Sequence, residues 1–136
     1  MATVAGKSRL GIVVIDDESE MLQEVVAGLS DEGFVCWGAE SVDAAVDLLA
    51  EQGELVGVVV ADIRMPGKSG LDLARKLREG KPIREVVIIS GHAGPAEQQL
   101  VDELGVHELL SKPFRLELLI AAVERALQRV EAERRL

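Results

Sequence analysis

The run Val58-Val59-Val60-Ala61, preceded by Val56 and ended by Asp62, constrains this chain more than any other stretch. Apolar, mostly β-branched residues fill it without interruption, as in a strand buried on both faces, and the turn signal Pro66-Gly67 follows at once. Two more runs end in the same way: Ile12-Val13-Val14-Ile15 before Asp16-Asp17, and Val86-Val87-Ile88-Ile89 before Ser90. A fourth, Leu109-Leu110, leads to Ser111-Lys112-Pro113. Parallel strands would gather three carboxylates, a hydroxyl and an ammonium on one edge. Open α/β sheets carry their function at that edge, the carboxyl ends of the strands.

Helical periodicity fills the gaps between these runs. Ser19 is read as the cap of a first helix to about Ser30, with Leu22, Val25, Val26 and Leu29 as its apolar stripe. Phe34 to Trp37 reads as a short second strand at the sheet edge. Ser41 caps a helix over Val42 to Gln52, buried through Val42, Ala45, Val46 and Leu49 and closed by Gly53. Leu71 to Arg78 buries Leu73, Ala74 and Leu77, and Ala96 to Leu104 buries Leu100, Val101 and Leu104. Val106 to Leu110 is the fifth strand, interrupted by His107 and Glu108. A last helix runs from Phe114 nearly to Arg135, with Pro113 in its first turn. Its stripe is Leu116, Leu119, Ala122, Val123, Ala126, Leu127 and Val130.

Five β-α alternations predict an α/β fold, a three-layer α/β/α sandwich around a doubly wound parallel sheet. Periodicity does not fix the strand order. Past about Arg125 the residues are of mixed sign, and two readings are open: a solvated, fraying end, or a projecting linker or dimerising arm.

The 136 residues suit one domain with a sizeable core. A net charge of -9 argues against nucleic acid or acidic membranes as direct partners. The aromatics are Phe34, Trp37 and Phe114, too few for a stacking platform. Cys36 is the lone cysteine, which fits a reducing, cytoplasmic setting. Residues 1–10 read as a ragged start rather than a secretion signal, and no stretch reaches membrane-spanning length.

Asp16, Asp17 and Asp62 brought together would repel one another, and a divalent cation relieves this. Oxygen ligands without clustered Cys or His point to Mg²⁺ or Mn²⁺ rather than zinc. Lys112 and Ser90 acquire a task when the ligand is a phosphoryl group. Asp62 attacks phosphorus and holds it as an acyl phosphate, Lys112 neutralises one oxygen, and Ser90 donates a hydrogen bond to another. Each feature also has a plain structural use: Asp-Asp as a helix cap, Lys-Pro as a helix start. Their joint placement at four strand ends carries the functional reading.

With these residues in view, the chain resembles the receiver domain of two-component response regulators, over roughly Leu10 to Leu127. The matching stretches are Ile12 to Glu18, Asp62 to Gly67 with Gly70, Ile88 to His92, and Leu110 to Phe114. The resemblance implies strand order 2-1-3-4-5 and phosphorylation of Asp62 from a histidine kinase or a histidine phosphotransfer protein. It assigns Mg²⁺ to Asp16, Asp17, Asp62 and the backbone carbonyl of Arg64, and phosphoryl sensing to Ser90 and Lys112. Arg64 and His92 fall beside the phosphoryl group, as modulators of its loss. Leu109 stands where this family usually has a rotating aromatic, so the switch at that position differs here.

The division expected is a receiver domain over 10–127 and a helical extension over 128–136, a linker to an output domain or the tail of a stand-alone receiver. The resemblance implies slow loss of the phosphoryl group rather than turnover, and a monomer or a phosphorylation-dependent dimer that docks on a downstream protein. A receiver-like module that binds without phosphorylation is one alternative. An aspartyl phosphohydrolase is another, disfavoured because Arg64 occupies the place of the second catalytic Asp. A flavin carrier is set aside, since Asp16-Asp17-Glu18 would repel a flavin phosphate.

Overall fold

A buried strand that leaves the core only at its carboxyl end needs neighbours on both sides, and the sheet supplies them. The computed structural model describes residues 9–62, 70–91 and 94–136. In chain order the elements are β1 (Gly11–Ile15), α1 (Ser19–Asp31), β2 (Cys36–Ala39) and α2 (Val42–Gln52), a 3-10 turn (Gly53–Leu55), then β3 (Val56–Asp62) and α3 (Gly70–Glu79). They continue with β4 (Glu85–Ser90), α4 (Pro95–Glu103), β5 (Glu108–Ser111) and α5 (Leu116–Arg134). The sheet is parallel in the order β2-β1-β3-β4-β5. Both the fold class and the strand order implied by the resemblance are therefore present.

Alternation along each strand divides the core in two. Val13, Ile15, Val59, Ala61, Val86 and Ile88 pack with Val42, Ala45 and Leu49 of α2, Leu73, Ala74 and Leu77 of α3, and Val101 of α4. Ile12, Val14, Val58, Val60, Val87 and Ile89 pack with α1 and α5. Register slips once, between Gly11 and Ile12, where Val56 and Val58 are the successive partners and Gly57 is passed over. A Cβ at Gly57 would come within 2.9 Å of Leu10 and 3.2 Å of Leu127, so only glycine fits the irregularity without displacing its neighbours.

Several sequence expectations shift. Ser19 is the first residue of α1 rather than its cap; Glu18 holds the cap position, and Asp16 Oδ1 accepts from the Glu18 N–H at 2.9 Å. Ser41 does cap α2, accepting from the Ala44 N–H at 3.0 Å. Val46 lies outside the buried stripe at 47% exposure. The second strand starts two residues later than read, and α5 begins at Leu116, so Pro113 lies ahead of its first turn. The Leu100 side chain lies outside the described residues. Burial pushes the Cys36 thiol up to about 12, as for a packed apolar group. No helix among the described residues is long and apolar enough to cross a membrane.

The end of α5 lies on the sheet as far as Arg134, while Arg135 and Leu136 are exposed. Its 19 residues span about 28 Å at helical rise, while the longest strand, of 7 residues, spans about 23 Å, so the last turn reaches the amino edge of the sheet. Ala126, Leu127 and Val130 are buried there. Arg134 donates from Nε to the Ile83 carbonyl at 2.9 Å, and its terminal nitrogens donate to Glu54 at 2.7 Å and Val56 at 3.1 Å.

The same edge carries a charge network. Glu85 has no solvent exposure; one carboxylate oxygen meets Arg78 of α3 and the other meets Arg129 of α5 at 3.4 Å. Glu108 accepts from Arg125 at 2.8 Å and Arg129 at 3.5 Å. Glu85 thus ties helices on opposite faces of the sheet to one strand. Removing one partner from such a buried cluster leaves charge uncompensated.

Glu85→Ala is expected to lower stability by about 3–5 kcal/mol in urea unfolding, whereas Arg125→Ala, at an exposed pair, costs about 1 kcal/mol or less. The hydrogen bond from Arg125, with the charges of Arg125 and Arg129, outweighs burial and holds the Glu108 carboxyl below its ordinary 4.5. A depressed folded value gives stability that is complete above the unfolded value and lost as pH falls through the folded one. The unfolding midpoint of Glu108→Gln should therefore fall less steeply than wild type below about pH 4.5.

Candidate functional site

Strand parity brings the site together. Asp62 shares the facing of Val58 and Val60, Asp16 continues that of Ile12 and Val14, and Lys112 follows Leu110; these flanking residues all pack toward α1 and α5. The register Ile15↔Ala61 sets the ends of β1 and β3 side by side. β4 and β5 pair through Ser90↔Ser111, and the Lys112 N–H donates to the Ser90 carbonyl at 2.7 Å. The four strand ends therefore converge on one edge, as the apolar runs predict.

Two of the carboxylates meet there. Asp16 and Asp62 are only 5% and 6% exposed, and Lys112 Nζ lies between them, 2.5 Å from Asp62 Oδ2 and 3.7 Å from Asp16 Oδ2. Burial alone would lower the lysine's affinity for its proton. The hydrogen bond and charge of Asp62, with the charges of Asp16 and Glu18, outweigh it, and the Lys112 ammonium is held above its ordinary value. Asp16 does a second job, since its other oxygen holds the Glu18 N–H and so starts α1.

Asp17 is exposed, at the bend after Asp16. Among the described residues no three Asp, Glu, His or Cys side chains stand close enough to hold a metal ion, so the three-carboxylate cluster appears here as a pair around an ammonium. Ser90 is fully buried at the end of β4, one residue beyond Ile89, the register partner of Asp62. Leu109 is half-buried, packed against the core on the α2 and α3 side. His107 is exposed at the foot of β5. Arg64 and His92 lie outside the described residues.

Sequence reasoning missed the part of Glu18, which adds to the field that keeps Lys112 charged. Its signal was present, as the third acid in Asp16-Asp17-Glu18. It also missed a hollow of about 450 Å³ beside the site, lined by Met21, Glu24, Val25, Lys112, Pro113, Phe114 and Leu116. That wall joins α1 to the segment after β5; the sequence reading places Val25 and Leu116 of it in apolar stripes and Lys112 at the phosphoryl site.

What the arrangement can do follows from charge. A carboxylate at a strand end, held against an ammonium and out of bulk water, is an oxygen nucleophile that needs no general base. The paired acids also suit a hard cation. The ammonium between them demonstrates that the spot holds positive charge, and Mg²⁺ typically takes one or two carboxylates together with phosphate oxygens.

Comparison with known proteins agrees with this geometry. The family model of the response regulator receiver domain matches residues 12–124. The DNA-binding transcriptional regulator NtrC of Escherichia coli K12 is 30% identical over 124 residues, covering 90% of this chain and 26% of NtrC. The chain thus spans about a quarter of the length of the curated relatives it matches. A receiver domain protein from Clostridium thermocellum superposes with a TM-score of 0.83 at 31% identity, covering 90% of this chain and 98% of that one. A Burkholderia pseudomallei response regulator, solved with a phosphorylated aspartic acid, calcium ion and citrate, gives 0.75 at 26% identity, covering 91% and 72%. From strand order, from the acids and lysine at its carboxyl edge, and from a family match over most of its length, the chain belongs to the response regulator receiver family.

Proposed function

We propose that this chain is a phosphoacceptor switch, in which Asp62 takes a phosphoryl group from a phosphohistidine on a sensor kinase or a phosphotransfer protein. The observation that carries the reading is the Lys112 ammonium held between Asp62 and Asp16, at 2.5 and 3.7 Å. A cation bonded to the nucleophile is positioned to move onto the oxygens of an incoming phosphoryl group.

In the step, an Asp62 carboxylate oxygen attacks phosphorus, the phosphorus–nitrogen bond of the donor breaks, and the imidazole leaves with the electron pair and is protonated. Asp62 becomes a mixed acyl phosphate. Lys112 exchanges its carboxylate partner for a phosphoryl oxygen, retaining a charge-assisted hydrogen bond throughout. The Ser90 hydroxyl, at the end of the neighbouring strand, supplies a further donor.

Asp16 and Asp62 would hold Mg²⁺, with Asp17 and the Arg64 carbonyl completing the set that the family likeness suggests. When bound, that ion neutralises charge on the phosphoryl oxygens. The calcium ion and phosphorylated aspartate of the Burkholderia pseudomallei relative support a divalent site and an acceptor aspartate here. Receiver domains are signalling switches rather than turnover enzymes. In this reading the acyl phosphate is lost slowly by hydrolysis, with Arg64 and His92 as modulators.

The relatives NtrC and NtrX-like regulators support a role upstream of an output module. The phosphorylated state would act through α4, β5 and α5 on a downstream protein or an attached domain. Residues 10–127 form the receiver in this reading, and 128–136 complete its last helix.

Two outcomes test it. Acetyl phosphate with Mg²⁺ should add one phosphoryl mass to the wild-type chain; omission of Mg²⁺ or the Asp62→Asn substitution should abolish the gain. Equal incorporation in Asp62→Asn would overturn the assignment. The second concerns pH: the Lys112 value is raised above 10.5, so its contribution is complete below that value and lost as pH rises through the folded one. Lys112→Met should therefore remove part of the alkaline fall in the unfolding midpoint.

A further inference from the structure

At the amino edge of the sheet, Arg78, Arg125 and Arg129 all meet Glu85 or Glu108. Arg84 and Arg134, beside them, do not. Arg84 donates to the Val56 carbonyl at 3.1 Å and the Gly53 carbonyl at 2.7 Å. Arg134 donates to Ile83, Glu54 and the same Val56 oxygen. Two guanidinium groups thus share one neutral acceptor, and among the described residues neither has a carboxylate partner. This is unusual placement in a chain with 24 acidic residues against 15 basic ones. Arg84 is only 7% exposed, and burial together with the charge of Arg134 lowers its hold on its proton.

Neutral carbonyls fix these groups in place without cancelling their charge. About half of their N–H donors remain for another acceptor, since each guanidinium carries five. A hollow of about 310 Å³ opens at this point, lined by Glu54, Lys81, Pro82, Ile83 and Arg134. Lys81 adds a third cation and is exposed. Glu54 in the same wall makes no ion pair with any of the three among the described residues.

We propose that this hollow binds a small oxyanion of the phosphate class, clamped by Arg134 and Lys81 of its wall. A tetrahedral anion with several acceptor oxygens can receive guanidinium N–H groups and an ammonium at once, which chloride cannot. The anion supplies the counter-charge that the fold withholds. It also fastens the last turn of α5 to the starts of β3 and β4, because Arg134 bonds both at once. The site lies at the opposite edge of the sheet from Asp62 and does not rest on the phosphoacceptor reading.

The test is a titration of the isotopically labelled full chain, free of Mg²⁺ and in the Asp62→Asn background, with inorganic phosphate, acetate or chloride at matched ionic strength. Phosphate should give saturable shifts at the arginine Nε–H groups and the Gly53 to Val56 amides. Lys81→Ala, an exposed change outside the core, should weaken binding by about tenfold, as expected for loss of a charge-assisted hydrogen bond. Glu54→Gln should tighten it. Shifts that stay linear, that chloride reproduces, or that Lys81→Ala leaves unchanged would overturn the site. Saturation by acetate at lower concentration than phosphate would overturn its ligand class.

Discussion

One ammonium between two buried carboxylates is the contact on which the functional edge depends. Asp62 and Asp16 close the ends of adjacent strands, and register forces them together. Without a cation, neighbouring ionised acids in a poorly solvated site repel each other, and the strand ends would be pushed apart. Lys112 answers that repulsion from the end of β5, and its backbone N–H is tied to Ser90 at the end of β4. The chemistry and the closing of the sheet edge are thus one arrangement.

The two edges of the sheet treat charge in opposite ways. At the amino edge, Glu85 and Glu108 are held by three arginines, and the helices of both faces are pinned to the strands. Among the described residues Arg78 Nε and Arg129 Nη2 are buried without a hydrogen bond, so even that network is imperfectly satisfied there. At the carboxyl edge one lysine serves two acids, and Asp17 stands exposed. Among the described residues the base of the sheet is thus cross-linked by charge, while the rim carries two acids on one lysine.

Most of the fold was legible because it rests on apolar periodicity. The strands around Val58 to Ala61, Ile12 to Ile15 and Val86 to Ile89 are nearly pure aliphatic runs, and the α2 bounds follow from Ser41 and Gly53. What escaped were positions where a charge behaves against its type. Glu85 opens a buried strand, and no single-residue rule predicts that Arg78 and Arg129 will reach it from either face. Arg134 reads as a solvated helix end, yet its guanidinium satisfies three carbonyls 51 to 80 positions away in the chain. Such pairings depend on tertiary neighbours. At the site, the acids and Lys112 were legible from their place after apolar runs, whereas the exposure of Asp17 depends on the turn into α1, where Asp16 Oδ1 accepts from the Glu18 N–H.

The shortness of β5 bears on how a change at Asp62 would travel. Its four residues carry three separate ties: Glu108 to α5, Leu109 to the core on the α2 and α3 side, and Leu110 to the core on the α1 side. Lys112 follows directly and is bonded to Asp62. On the proposed reading, a phosphoryl group on Asp62 draws Lys112 toward new oxygens, and the pull falls on this edge strand. A large aromatic at position 109 would convert the pull into a rotation of one ring. Leucine has too little reach for that, and Glu108, its neighbour in the strand, is ion-paired to Arg125 and Arg129 of α5. The strand that leads into Lys112 is thus tied by charge to the last helix at its other end.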